Sequence, residues 1–431
     1  DRSPSRGLGD VYKRQGVTTS GMGRAGAVDW QTGSIKTTTV TAVDGEGYFC
    51  NTSGGAFTVN LPAGSAGAIV AVADYTRTFE THNLAVSPNG SEKIGGIAAD
   101  ASLSTNGQSA TFVYVDGTEG WINVQETQTS QTGEPPYIIA TGGTITCCGN
   151  FKVHTFTSPG TFTVCNVSST AANNTIGYQV VAGGAGGGQN DGGGGGAGGY
   201  REGKNAPVDN FTASPLVASA PTNAVTVTAT AYPIDVGGGG AKAPSPSTNA
   251  CSGSNSTFST ITATGGGGGA SETGARNGVA GGSGGGGGAG GGTSGSGGAG
   301  NTPSTTPAQG STGGNGPGGG SPITPGSRAG GGGGGAAAVG ANGSGGCGGD
   351  GGTGTPSQIT FAAVTMAGGG GGGGRSTGGC AGSGGGGNGK CTSGTADSGT
   401  DNTGGGGGGA GEGATAGAGG SGKVVIRYRF Q

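Results

Sequence analysis

Between residues 183 and 422 the chain is dominated by glycine. Of its 116 glycines, 92 follow Thr175. Unbroken runs include 192–196, 265–269, 284–288, 368–374 and 404–409. Glycine loses more backbone freedom on folding than any other residue and has no side chain to bury. Composition of this kind by default gives a disordered chain. The ordered alternative is a polyglycine II rod, with three residues per turn, a rise of about 3.1 Å and no internal hydrogen bonds. Rods without side chains can pack closely and exchange N–H···O=C bonds, so that every buried backbone group has a partner.

Two features favour order. The runs are launched from strand-like segments: YQVVAGGAGGG from Tyr178, STITATGGGGG from Ser259 and TFAAVTMAGGGGGGG from Thr360. The field then ends in KVVIRYRF, a run of high β-propensity beginning at Lys423. A flexible tether has no need to re-enter a core after each run. The expectation is a β-sandwich scaffold carrying inserted rods and loops.

The whole chain has 431 residues, 10% charged, with a net charge of -3. No basic patch points to nucleic acid. No apolar run is long enough to span a membrane, and no signal-peptide core opens the chain. The eight cysteines (Cys50, Cys147, Cys148, Cys165, Cys251, Cys347, Cys380, Cys391) include no C-x-x-C pair, and only His82 and His154 accompany them. That spacing does not fit a zinc site. Disulfides between glycine loops, such as Cys380 with Cys391, stay open, because sequence does not fix pairing.

Taken in order, residues 1–15 (DRSPSRGLGDVYKRQ) resemble a translated adaptor scar and are set apart from the fold, with the native N-terminus expected to be missing. Residues 16–126 read as a β-rich module, a sandwich or small barrel. Its candidate strands are 36–43, 47–51, 56–61, 69–75, 83–87, 110–115 and 121–125, punctuated by Asp44-Gly45, Asn89-Gly90, Asn106-Gly107 and Asp116-Gly117. Residues 127–136 read as a linker. Residues 137–431 form the glycine-rich domain. A hairpin is expected about Ser158-Pro159, with strands at 176–182, 224–236, 258–262, 359–366 and 424–430. No sustained period near 3.6 predicts a helix, so the fold class is all-β.

WQTGSIKTTTVTAVDGEGYFCNTSGGAFTVNLPAG from Trp30 and TFVYVDGTEGWINVQ from Thr111 resemble a module of marine bacteriophage tail-fibre proteins. ATGGTITCCGNFKVHTFTSPGTFTV from Ala140, YQVVAGGAGGG and the ending GGSGKVVIRYRFQ resemble the glycine-rich C-terminal domain of such fibres. The layout is also similar to the glycine-rich extracellular domain of the anaplastic lymphoma kinase receptor and to a T-even-type phage adhesin. The resemblance implies a virion protein, extracellular and homotrimeric, that touches a bacterial surface glycan or outer-membrane protein. Contact with other tail proteins would run through the missing N-terminus. It carries no catalytic residue, cofactor or metal with it. A bacterial cell-surface adhesive protein is the alternative, and an ice-binding protein a third class.

Chemical motifs are weak by comparison. GGGGNGKC, from Gly384 to Cys391, has phosphate-loop spacing, but Cys391 stands where Ser or Thr should hold magnesium and no helix follows. Scattered acids do not suggest a glycosidase pair, and neither histidine neighbours a nucleophile signature. An enzyme is not expected. Polar loops at 301–325 and 392–403 suit sugar hydroxyls better. The candidate receptor-binding residues are Tyr200, Arg201, Asn301, Thr302, Asn315, Arg375, Asn388, Lys390, Asp397 and Asp401.

Overall fold

The computed structural model describes residues 28–125, 135–206, 208–220, 223–290, 293–317 and 327–431. The 1–15 segment and nearly all of the 127–136 linker lie outside the described residues. The chain divides into two compact units, Asp1–Pro136 and Tyr137–Gln431. Regular structure among the described residues is strand, apart from one short 3-10 turn at Ala171–Asn174.

The first unit is built on two sheets. One holds β1 (Asp29–Trp30), β3 (Glu46–Cys50), β5 (Ile69–Asp74), β8 (Ser109–Asp116) and β9 (Gly120–Asn123). The other holds β2 (Val40–Thr41), β4 (Phe57–Asn60), β6 (Leu84–Ser87) and β7 (Ala101–Leu103). Strands β1 to β6 alternate between the sheets, and each later one pairs in parallel with the strand two before it. The chain therefore coils, each coil stacking on the last, until antiparallel β7, β8 and β9 close the stack. Alternation supplies the core: Tyr48 and Cys50, Phe57 and Val59, Val70 and Val72, Leu84 and Val86, and Ala110 and Phe112 all face inward. The two facing layers match the sandwich expectation and do not close into a barrel. The parallel coil was not legible in the turn spacing.

The second unit opens with a side-chain core between two further sheets. One runs β10 (Ile139–Thr141), β13 (Gly160–Asn166), β17 (Ala231–Asp235), β18 (Ser256–Phe258) and β19 (Ile261–Ala263). The other runs β11 (Thr144–Cys148), β12 (Phe151–Phe156), β24 (Lys423–Arg429), β14 (Thr175–Val181) and β15 (Tyr200–Gly203), with β16 (Val225–Thr226) also on β14. The C-terminal strand β24 lies between β12 and β14, so the sandwich is complete only when the last residues arrive.

Three sequence expectations need correction. Ser158-Pro159 does not close a hairpin: β12 and β13 belong to different sheets, and the turn carries the chain across the core. Residues 224–236 are not one strand either, because β16 pairs with β14 and β17 with β13, so the chain changes sheet between them. Residues 359–366 are broken at Phe361, whose φ of 71° turns its ring onto Arg427 before β22 (Thr355–Ser357) meets β23 (Val364–Met366).

The glycine runs are ordered rods. The run 192–199 shows how. Amides of Gly192, Gly195 and Gly198 donate to carbonyls of Ala410, Gly407 and Gly404 at 3.0, 2.8 and 2.9 Å. Those of Gly193, Gly196 and Gly199 donate to Ala270, Gly267 and Thr264 at 2.8, 2.9 and 2.7 Å. Those of Gly194 and Ala197 donate to Gly331 and Gly334 at 3.0 and 2.9 Å. Every third amide thus serves the same neighbour, as a three-residue turn requires. The carbonyls repeat the pattern toward three other rods, accepting from Gly370 and Gly373, from Ala182, Ala185 and Gly188, and from Ser283 and Gly286. One buried rod is bonded to six others. Ala197 finds room near one end, but at the centre no side chain fits: a Cβ on Gly194 would lie 2.1 Å from the carbonyl oxygen of Gly370.

Candidate functional site

The rods have two ends. At one, Ala182, Gly199, Thr264, Gly334 and Gly404 share a layer of hydrogen bonds and continue directly from β14, into β15 and from β19. At the other, Gly188, Gly192, Ala270, Ala289, Gly330, Gly373 and Ala410 share a layer, and the chain turns. Charged residues gather in these far turns. Arg375 Nη2 meets Asp191 Oδ2 at 2.8 Å and its Nη1 meets Glu412 Oε2, while Arg328 Nη1 meets Glu272 Oε1 at 2.6 Å. Asn190 donates to Glu272, and Arg276 Nε donates to the Glu272 carbonyl oxygen at 2.7 Å. Asp191 ends the central rod and is fully buried. Burial raises its pKa, and the Arg375 guanidinium opposes that rise. Glu412 and Arg328 are the more exposed members. This end offers guanidinium donors and carboxylate acceptors on a stiff base, with three residues of each sign.

Two buried hubs fix the near end to the sandwich. Glu202 accepts from Ser357 Oγ at 2.5 Å, Tyr200 hydroxyl at 2.8 Å and the Ser214 amide at 2.9 Å. Its pKa is raised by burial, which those hydrogen bonds partly offset. Arg427, on β24, lies 4.3 Å from the Phe151 ring centre, 4.6 Å from Phe361 and 5.2 Å from Phe211. Its Nη1 donates to the Ile359 carbonyl oxygen and its Nη2 to Asn210, while Nε is 3.4 Å from Asp209 Oδ1, an ion pair rather than a hydrogen bond. Burial raises the pKa of Asp209 and lowers that of Arg427. The desolvation cost is met by charge pairing and by three aromatic faces. These contacts tie residues 209–211 and 359–361 to the last strand.

The structure separates the candidate receptor-binding residues. Tyr200 is the clearest correction: it is 1% exposed, and its hydroxyl is shared between Glu202 and Gln179, so no receptor reaches it. Arg201 is half-buried on β15. Asn301 organises its own loop, its Oδ1 accepting from Thr305 and Gln309 amides at 3.0 and 3.1 Å, with exposed Thr302 beside it. Asn315, Asn388 and Asp401 lie on outer rods, where their side-chain oxygens accept from the amides of Gly297, Ala381 and Ser421 at 2.8, 2.9 and 3.1 Å. A carboxamide or carboxylate there replaces the carbonyl of a rod that the lattice edge lacks. Asn388 also donates to Asp397 at 2.8 Å, and exposed Lys390 lies two residues along the same rod. Of the ten, Arg375 belongs to the charged cluster of the far end, and Lys390 reaches the same layer, its amide donating to the Gly409 carbonyl oxygen and its own carbonyl accepting from Gly411.

Sequence reading missed Asp191, Glu272, Arg276, Arg328 and Glu412. A signal was present: four of them, with Arg375, stand within two residues of a rod end. The phosphate-loop spacing at 384–391 has no anion-binding geometry. The amides of Gly387, Gly389 and Lys390 are spent on Gly406, Gly379 and Gly409. His154 is also committed, with Nδ1 2.7 Å from the Gly142 carbonyl oxygen and Nε2 3.0 Å from the Tyr428 hydroxyl. All eight cysteines are free, Cys380 and Cys391 included.

No curated protein matches the chain significantly. Residues 157–429 match the family model described as a glycine-rich domain, over more than half of the chain. The rods, the strands that launch them and the closing β24 all fall within that match, and the chain belongs to this glycine-rich domain family.

Proposed function

We propose that the protein is a phage tail-fibre adhesin. In this reading its glycine-rich domain binds a bacterial surface glycan or outer-membrane protein, and it acts by binding rather than by catalysis. The fibre is a homotrimer carried outside the cell on the virion. The observation that supports this most is the braced lattice: rods bonded on all sides, anchored at one end by β14, β15 and β19, ending in a charged cluster of turns at the other. Such a base lets turns differ in sequence while staying ordered, so binding carries a smaller entropic cost. The resemblance of the flanking segments to marine tail fibres supplies the biological setting.

The test is adhesion of the labelled full chain to a panel of marine bacteria. Saturable binding to some members is expected, weakened about tenfold by the pair Arg328→Ala and Glu412→Ala, since a lost contact of about 1.4 kcal/mol is tenfold. Amide protection of 192–199 should be unchanged in that variant. Absence of saturable binding across the panel, or full binding by the paired variant, overturns the reading.

A further inference from the structure

The parallel coil of the first unit puts three aromatic rings in file on its outer face. Trp30 comes from β1, Phe49 from β3 and Tyr75 from the residue after β5, three successive coils. Trp30 and Phe49 ring centres are 4.9 Å apart and inclined at 34°, and Phe49 and Tyr75 are 6.4 Å apart at 70°. Phe49 lies on the face opposite Tyr48 and Cys50, which enter the core. The indole of Trp30 lies over Gly47, where a Cβ would approach Cδ2 and Cε3 to 2.8 Å. Glycine at that position lets the ring lie down on the sheet. Tyr75 is 57% exposed, and the other two are half-buried. Its amide bonds to the Cys50 carbonyl oxygen at 2.9 Å, which fixes where the ring leaves the sheet.

The surroundings are polar. Gln31 follows Trp30, Asn51 lies two residues past Phe49, and Thr76 follows Tyr75 and donates through Oγ1 to Asn51 Oδ1 at 3.1 Å. Lys36 turns to the other face, its Nζ 5.5 Å from the Tyr48 ring centre. Singly exposed apolar side chains are ordinary, whereas contiguous ones mark an interaction surface. Amphipathic rings at the surface serve partners that are apolar on one side and hydrogen-bonding on the other. A pyranose is such a partner, with a C–H face to stack and hydroxyls around its rim. The file is open and linear, unlike the concave pocket that small ligands need. The chain is net acidic at -3, which disfavours a polyanion on the same rings.

We propose that Trp30, Phe49 and Tyr75 form a stacking platform for a neutral linear glycan, separate from the far end of the rods. The chain offers its own probe. Of its two tryptophans, Trp121 is fully buried and donates to Glu92 at 3.1 Å, so a ligand on the platform perturbs Trp30 alone. The full chain is titrated with cellohexaose, laminarihexaose, maltohexaose and chitohexaose, with heparin as a polyanion control. At least one neutral sugar should shift the Trp30 emission saturably. Tyr75→Ala should weaken that binding about tenfold, on the scale of one lost aromatic stack. Trp30→Ala should abolish it, read by calorimetry, and Trp30→Phe should restore part. The pair Arg328→Ala and Glu412→Ala should leave it intact, which separates this platform from the adhesion proposed above. No response to any neutral sugar, a response to heparin alone, or undiminished binding by Tyr75→Ala overturns the proposal. So does sugar-independent quenching that rises with protein concentration, which would make the face a contact between copies.

Discussion

The first unit and the rod lattice solve the same problem with opposite materials. In the first unit, side chains fill the interior and backbone hydrogen bonds run along strand edges. Phe112, Val70, Leu84 and Trp121 are fully buried there. In the lattice, the backbone itself is the filling: 192–200 is buried throughout, and its polar groups point toward six neighbours rather than two. Burial of apolar area drives the first arrangement. The second has little apolar area to bury and rests on the density of satisfied N–H···O=C bonds, each worth about 1 kcal/mol net. Its entropic cost per residue is high. A side-chain core therefore tolerates lost volume poorly, while a backbone core tolerates added volume poorly.

Substitutions of opposite kind should break the two regions, and that is the largest effect expected. Phe112→Ala removes bulk and should cost the first unit about 3–5 kcal/mol. Gly194→Ala adds one methyl and should cost the second unit about 3 kcal/mol, near the top of the range for overpacking. The clash is with the Gly370 carbonyl oxygen, and main chain cannot rotate away as a side-chain tip can. Gly238→Ala is the control, because nothing lies within 4 Å of its added methyl. It should be neutral or stabilising by about 0.5 kcal/mol through the unfolded chain. Chemical denaturation with hydrogen exchange resolved over 192–199 reads all three. Equal protection in Gly194→Ala and Gly238→Ala would mean the lattice is not close-packed.

The lattice edge sharpens the contrast at smaller scale. Asn315 Oδ1 accepts from the Gly297 amide at 2.8 Å, in the place of a rod carbonyl. Asn315→Ala leaves that amide to solvent and should cost about 1 kcal/mol, with faster exchange of Gly297 and unchanged exchange at 192–199. A loss of protection spreading to the central rod would show that the lattice unzips from its rim.

How much of this could be read from sequence follows from which interactions are local. The launching strands were legible because apolar residues run straight into glycine at Val181, Ala263 and Met366. Rod order was legible as a principle, since only paired backbone lets such runs be buried. Which rods pair was not, because one glycine run is chemically like another and the partners of 192–199 lie as far away as Ala410. The strand at 224–236 was misread for a similar reason: alternation says that a segment is extended but not that it changes sheet midway. Tyr200 and Asn388 were taken for contact residues because polar side chains among glycines look available. In the fold, one seats Glu202 and the other caps a rod. The charged far end was hidden because its members are scattered from Asp191 to Glu412.

The smallest effect concerns pH and separates the sandwich from the rods, since glycine does not titrate. His154 is fully buried between the Gly142 carbonyl oxygen and the Tyr428 hydroxyl, so Nδ1 carries the proton and Nε2 accepts. Burial, aided by the Lys152 charge, lowers its pKa below the ordinary 6.5, against the pull of the Gly142 carbonyl. The unfolded chain then binds a proton before the folded one does. Stability from this residue is complete above 6.5 and is lost as pH falls toward the folded value, by about 0.7 kcal/mol between pH 7 and pH 6 at most. Asp191, Glu202 and Asp209 work the other way: their pKa values are raised, so lowering the pH relieves them. Whole-protein stability therefore mixes two opposed slopes, and the histidine contribution must be taken by difference. His154→Gln keeps polar groups in the same place without the titration. The stability gap between wild type and His154→Gln should change by that amount from pH 7 to pH 6, in the direction that disfavours the wild type at the lower pH. A gap that does not move would mean that His154 titrates in the fold as it does in the unfolded chain, and a gap that moves the other way would mean that it is already protonated in the fold, with the Tyr428 hydroxyl turned to accept from it.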